Sequence, residues 1–226
     1  MGGLLVGMAK RVLLIGGTGL IGRLLADGLI NSSVHVDAIT RRASGRSHPQ
    51  WHEQVGPGAQ WADVARRTGG NVAISALGTT LRAAGSQVAF RAVDFHLVLD
   101  FGRAARESGV SHMIVVSSVG ADTTSRNFYL RLKGELERAL EELGFDRLDI
   151  IRPGLLRGER RDDRRLGERL GILISPVVNL LLRGRLAAFA AIDARIVAAA
   201  MARLIDEESP GTFIHHNSDL YRLARG

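Results

Sequence analysis

The chain contains no cysteine in 226 residues. Disulfides, a thiol nucleophile and thiolate metal sites are therefore excluded, and nothing calls for an oxidising compartment. Histidines stand at 35, 48, 52, 96, 112, 215 and 216, without ligand spacing. His48 and His52 are four apart, but Pro49 between them argues against the helix that would bring them together. No metal site is expected. Long apolar runs are missing too: the stretch 171–182 has only 12 residues, too few to span a bilayer, so no membrane partner is expected. The opening MGGLLVGMAKR places its charges after its apolar residues, an order unlike a secretory signal. Cytoplasm is the expected compartment.

Lysine is scarce as well. Only Lys10 and Lys133 occur, beside 28 arginines, in a chain of net charge +7 and sequence pI 11.0. So basic a chain raises the question of nucleic acid, and the charge distribution answers it. The densest run, RPGLLRGERRDDRRLGER, interleaves Glu159, Asp162, Asp163 and Glu168 among its arginines. Phosphate tracking calls for one sign of charge with aromatic residues between, so no nucleic-acid partner is expected. With 46% hydrophobic and 23% charged residues the chain has ample core for one globular domain.

Apolar, β-branched runs bounded by turn residues recur at 11–15, 34–39, 72–76, 112–117 and 147–151, with a further strand somewhere in 51–61. Helix-period segments at 20–30, 87–108 and 126–143 separate them. Strands alternating with helices require parallel pairing, because each crossover needs a helix, and a parallel sheet is covered on both faces. The expected fold is a Rossmann-type doubly wound α/β sheet in a single domain over 1–226. Its core spans 11–154, and about 155–226 form a small cap over one sheet edge. That last part holds GILISPVVNLLLRG, a helix at about 193–207 and a short strand in TFIHH.

The first strand runs directly into Gly16-Gly17-Thr18-Gly19-Leu20-Ile21-Gly22 and then into a helix. Glycines at this spacing let the backbone approach a diphosphate, and the helix start offers free N–H groups and the positive end of its dipole. The second strand ends at Thr40-Arg41-Arg42, whereas Asp37 lies earlier, inside the strand. Arginine at this tip suits a ribose 2′-phosphate, so NADP(H) is the preferred cofactor and NAD(H) the alternative. After the fourth strand, Ala76-Leu77-Gly78-Thr79 offers a glycine beside which a cofactor can pass, and a hydroxyl. The fifth strand ends at Ser117 and Ser118, either of which can bond a substrate carbonyl.

Tyr129 and Lys133 stand one turn apart on the helix 126–143, whose buried stripe is Tyr129, Leu132, Leu136, Leu140 and Leu143. With two tyrosines and two lysines in the chain, chance produces such a pair about once in fifty sequences. A cation beside a phenol stabilises its phenolate and makes it a usable acid or base.

The motifs GGTGLIG, ALGTT with AGSQVAFRAVD, VSSVGAD, YLRLK and IRPG, between residues 11 and 160, together resemble the short-chain dehydrogenase/reductase superfamily. Within it they are similar to the atypical NAD(P)H-binding branch related to the Tat-interacting-protein oxidoreductases. The resemblance implies Tyr129 as general acid/base, Lys133 bonding the nicotinamide ribose and lowering the tyrosine pKa, and Ser118 polarising the carbonyl, with Ser117 the alternative. Pro153 and Gly154 would lie beside the nicotinamide. The helix 87–108 lacks the asparagine that many members carry there, and the large substrate domain of the sugar-nucleotide epimerases is missing. The expected activity is NADPH-dependent reduction of a small-molecule carbonyl or oxidation of an alcohol, in a monomer or homodimer. The alternative is a regulator that senses NADP(H) without turnover.

Overall fold

The computed structural model describes residues 9–158 and 189–226. Seven strands form one parallel sheet in the order β3-β2-β1-β4-β5-β6-β9. They are β1 (Arg11–Ile15), β2 (His35–Thr40), β3 (Trp51–Val55), β4 (Val72–Ser75), β5 (His112–Val116), β6 (Arg147–Ile151) and β9 (Gly211–His215). A separate two-stranded parallel ribbon joins β7 (Leu156–Arg157) to β8 (Ile192–Asp193).

Side chains alternate along each strand, so each strand feeds two cores. Val12, Leu14, Val36, Ala38, Ile74 and Ile114 face α1 (Leu20–Leu29) and α7 (Ala194–Leu204). Leu13, Ile15, Ala73, Met113, Val115 and Ile150 face the opposite layer, made by α2 (Trp61–Thr68), α5 (Val98–Glu107) and α6 (Phe128–Glu141). The doubly wound sheet is thus the one its sequence pattern predicts. The strand expected somewhere in 51–61 is β3, and Trp61 instead opens α2.

The helix expected over 87–108 runs without interruption from 87 to 107 but is not α-helical throughout. After the short α3 (Leu81–Ala84), α4 (Gln87–Arg91) passes into a π-helical turn at Ala92–Leu97 before α5 begins. Thr80 and Ser86 cap α3 and α4 through their side chains, accepting from the amides of Ala83 and Ala89.

In the segment expected as a cap, TFIHH supplies β9, which extends the main sheet alongside β6. α7 follows β8 and buries Val197, Ala198, Met201 and Leu204 in the same core as α1, and α8 (Asn217–Leu223) packs on α7. The apolar face of α7 is matched by that of α1, which draws this part of the chain into the sheet layers. The stretch GILISPVVNLLLRG, most of the arginine-rich run and the first eight residues lie outside the described residues. Among the described residues no helix is long and apolar enough to cross a membrane.

Candidate functional site

The strand order reverses between β1 and β4, so their exits part and leave a crevice at the carboxyl edge of the sheet. The glycine turn fills one side of it. Gly16 has φ +81°, and a Cβ there would lie 2.4 Å from the Ala76 carbonyl carbon and the Leu77 nitrogen. A Cβ on Gly22 would lie 2.1 Å from the Gly16 oxygen, so α1 can sit this close to the loop only without a side chain. A Cβ on Gly17 would meet Leu14 at 3.3 Å and Trp51 at 3.5 Å, Ile21 is buried, and Leu20 is half-buried. Thr18 and Gly19 are exposed at the tip. The first turn of α1 has neither a side-chain cap nor an acidic residue. Its free N–H groups and positive dipole end therefore fit an anion held close to backbone.

Ala76, Leu77, Gly78 and Thr79 leave β4 along the facing wall. The Ala76 amide donates to the Ile15 carbonyl at 3.0 Å, and the Thr79 amide to Asp94 Oδ2 at 2.8 Å. At the tip of β2, Arg41 and Arg42 are exposed. Asp37 is buried in the strand and held by Arg11, through Nε at 2.5 Å and Nη2 at 3.1 Å, so it is not offered to the crevice. A third arginine of this loop, Arg46, lies over the Trp51 ring at 5.2 Å and bonds Asp27 at 2.6 Å.

The helix α6 presents Tyr129, Lys133 and Glu137 on successive turns. Asn127 caps it by accepting from the Tyr129 and Leu130 amides, while Leu132, Leu136 and Leu140 anchor its buried face. Tyr129 is half-buried, with its ring 5.7 Å from that of Phe90, and its hydroxyl has no hydrogen-bond partner among the described residues. Lys133 is buried entirely: its Nζ lies 2.9 Å from Asp94 Oδ1, and the two side chains are 3% and 1% exposed.

The two serines separate. Ser117 is buried and donates to Glu137, whose carboxylate also receives Nε of Arg152 at 3.0 Å and a second bond from Nη2. Ser118 is half-buried, and among the described residues its hydroxyl makes only a 3.3 Å bond to the Val119 carbonyl. The Val119 amide donates to the Pro153 carbonyl at 3.1 Å, and the Gly154 amide to Asn217 Oδ1 at 2.9 Å, which fixes the β5 and β6 exits side by side.

The glycine turn, the exits of β4, β5 and β6 and the start of α6 thus meet at one edge of the sheet. Arg41 and Arg42 stand at the same edge on β2. Sequence reasoning missed Asp94, Glu137 and Arg46. Asp94 was signalled by its place among Phe90, Val98 and Phe101, an acid on an otherwise apolar buried line.

The HIM1 family model matches residues 68–172. Among curated proteins, the chain is 34% identical over 175 residues to "Protein FMP52, mitochondrial" of Coccidioides immitis, covering 71% of each chain. It is 39% identical over 162 residues to the protein of that name in Emericella nidulans, covering 68% of this chain and 70% of the relative. These names overturn the expected cytoplasmic location: an opening unlike a secretory signal says nothing about delivery to an organelle. Among solved structures, a short-chain dehydrogenase/reductase superfamily protein from Agrobacterium tumefaciens with bound NAD superposes with TM-score 0.69 at 17% identity. The match covers 95% of this chain and 81% of that one. The Bordetella bronchiseptica enzyme WbmG in complex with NAD gives 0.65 at 15%, covering 94% and 74%. The shared feature is the fold.

Proposed function

The chain belongs to the family of the FMP52 proteins, and we propose that it is an NAD(P)-dependent oxidoreductase of the atypical short-chain dehydrogenase/reductase type, allied to the Tat-interacting-protein oxidoreductases. A mitochondrial location is carried over from the relatives' names. The observation that carries the reading is that Tyr129, whose hydroxyl has no hydrogen-bond partner among the described residues, stands at the start of α6, at the same sheet edge as the glycine turn.

A bound nicotinamide dinucleotide would supply the hydride to a carbonyl carbon, or accept it from an alcohol. The backbone of Gly16 to Gly22 and the first turn of α1 would hold its diphosphate, with Ala76 to Thr79 along the opposite wall. Arg41 and Arg42 would receive a 2′-phosphate, which favours NADP(H) over NAD(H). Pro153 and Gly154 would flank the nicotinamide, and Lys133 would reach its ribose. Tyr129 holds the proton that passes to the substrate oxygen in reduction and takes it back in oxidation. Ser118, whose hydroxyl is not spent on the core, bonds that oxygen; Ser117 is committed to Glu137.

A titration of NADPH against NADH tests this, read by tryptophan fluorescence because Trp51 packs beside Gly17. NADPH is expected to bind about tenfold tighter, and Arg41→Ala to remove most of that difference. Equal affinities in the wild type would reject the cofactor preference, and binding of neither would reject the function. A second reading is an NADP(H) sensor without turnover. Tyr129→Phe separates the two: loss of carbonyl reduction by about 10²- to 10⁴-fold with binding retained supports the enzyme. A wild type that binds NADPH yet reduces no member of a carbonyl panel supports the sensor.

A further inference from the structure

Phe90, Asp94, Val98 and Phe101 form the buried line of the helical run 87–107, each at most 1% exposed. An ionised carboxylate survives in such a place only with a counter-charge and hydrogen bonds. Asp94 has both, from two different elements. The Thr79 amide donates to Oδ2 at 2.8 Å, and Lys133 Nζ stands 2.9 Å from Oδ1. The second contact is an ion pair to one carboxylate oxygen, which leaves the ammonium two of its three N–H donors for other partners. The π-helical turn at Ala92–Leu97 places the carboxylate there, and such turns are often found at functional sites.

Resting on the dinucleotide reading above, we propose that Asp94 is the positioning residue for Lys133. Its charge holds the buried ammonium in the wall of the crevice, with donors left for the hydroxyls of a bound nicotinamide ribose. Through Thr79 the same carboxylate fixes the β4 exit, so the lysine and the opposite wall are set by one group. Asp94 takes no proton from substrate and acts only through Lys133.

The test is a double-mutant cycle on dinucleotide affinity and on Tm, using the full chain. Asp94→Asn keeps an oxygen for the Thr79 amide and removes only the counter-charge. It is expected to weaken NADPH binding about tenfold, the size of one charge-assisted hydrogen bond, and Lys133→Met to do the same. The double variant should bind no more weakly than Lys133→Met alone, since Asp94 has nothing left to position. In Tm, each single variant strands a buried charge and should lose about 6–20 °C, whereas the neutral double variant should recover most of that loss. If Asp94→Asn is too unstable to titrate, Asp94→Glu, which keeps the charge but moves it, takes its place: weaker NADPH binding with Lys133 present and none of that effect in the Lys133→Met background supports the inference, and unchanged binding in both overturns it. Asp94→Asn that weakens binding equally with and without Lys133, or not at all, would overturn the inference while leaving the function intact. A wild type that binds neither NADPH nor NADH would overturn both.

Discussion

A methyl group at position 22 would meet the Gly16 carbonyl oxygen at 2.1 Å, and backbone cannot swing aside as the end of a side chain can. Gly22→Ala must therefore push α1 off the loop, and is expected to weaken dinucleotide binding at least tenfold with a lower Tm, both read in one ligand-dependent thermal melt. The two serines give a sharper contrast. Ser117→Ala deprives the buried Glu137 of a donor and should cost about 1–3 kcal/mol of stability, seen in denaturant unfolding. Ser118→Ala should leave stability nearly unchanged and lower kcat about 10²-fold or more by removing a bond to the reacting oxygen. A larger kcat loss for Ser117→Ala would reverse the assignment. Adjacent serines read alike in sequence, because only the fold decides which of them meets the carboxylate one turn beyond Lys133.

At the scale of elements, α6 and the turn after β5 are joined through Gly134. A Cβ there would lie 2.5 Å from the Thr123 nitrogen and 2.6 Å from the Asp122 carbonyl carbon, so the turn rests directly on the helix. Gly134→Ala should displace that turn, and Ser118 with it. The expected cost is about 1–3 kcal/mol, or roughly 2–12 °C in Tm, with a fall in kcat that outweighs any change in dinucleotide affinity. An unchanged kcat would separate the turn from the site. The body of α6 was legible from its apolar stripe, but the sequence reading began it at 126, whereas Asn127 caps a helix that starts at Phe128. The π-helical turn was not, since its residues carry the same helical period as their neighbours and local sequence does not tell one extra residue per turn from a regular helix.

The whole molecule is tied across β5, β6 and β9 by one carboxylate. Asp149, fully buried, receives Nε2 of His112 and of His215 at 2.7 Å each, and Nε and Nη2 of Arg147 at 2.6 and 3.0 Å. Burial alone would raise its pKa, but the bonds from His112, His215 and Arg147 more than reverse that and hold it well below the usual carboxylate range. A pKa lower in the folded state than in the unfolded one gives stability that is present above the unfolded value, near 3.9, and lost as pH falls toward the folded one. Unfolding free energy should therefore decline below about pH 5, and Asp149→Asn should flatten that decline. At neutral pH the same substitution strands the Arg147 charge and should cost about 3–5 kcal/mol, or roughly 6–20 °C in Tm. Melts of both proteins from pH 3 to 8 check this, and a decline of the same steepness in the variant would place the acid sensitivity elsewhere.

What the sequence alone determined is local and periodic. The alternation of strands and helices, the glycines after the first strand, the arginines after the second and the Tyr129-Lys133 spacing each arise from neighbours within a few turns of chain, where steric and hydrophobic periodicity act directly. Tertiary structure decided what those groups touch. Lys133 meets Asp94 from 39 positions away, Asp149 meets His215 from 66, and TFIHH becomes the seventh strand of the sheet. Partnerships of this kind follow from strand order and register, which set distances between residues that chain spacing leaves free.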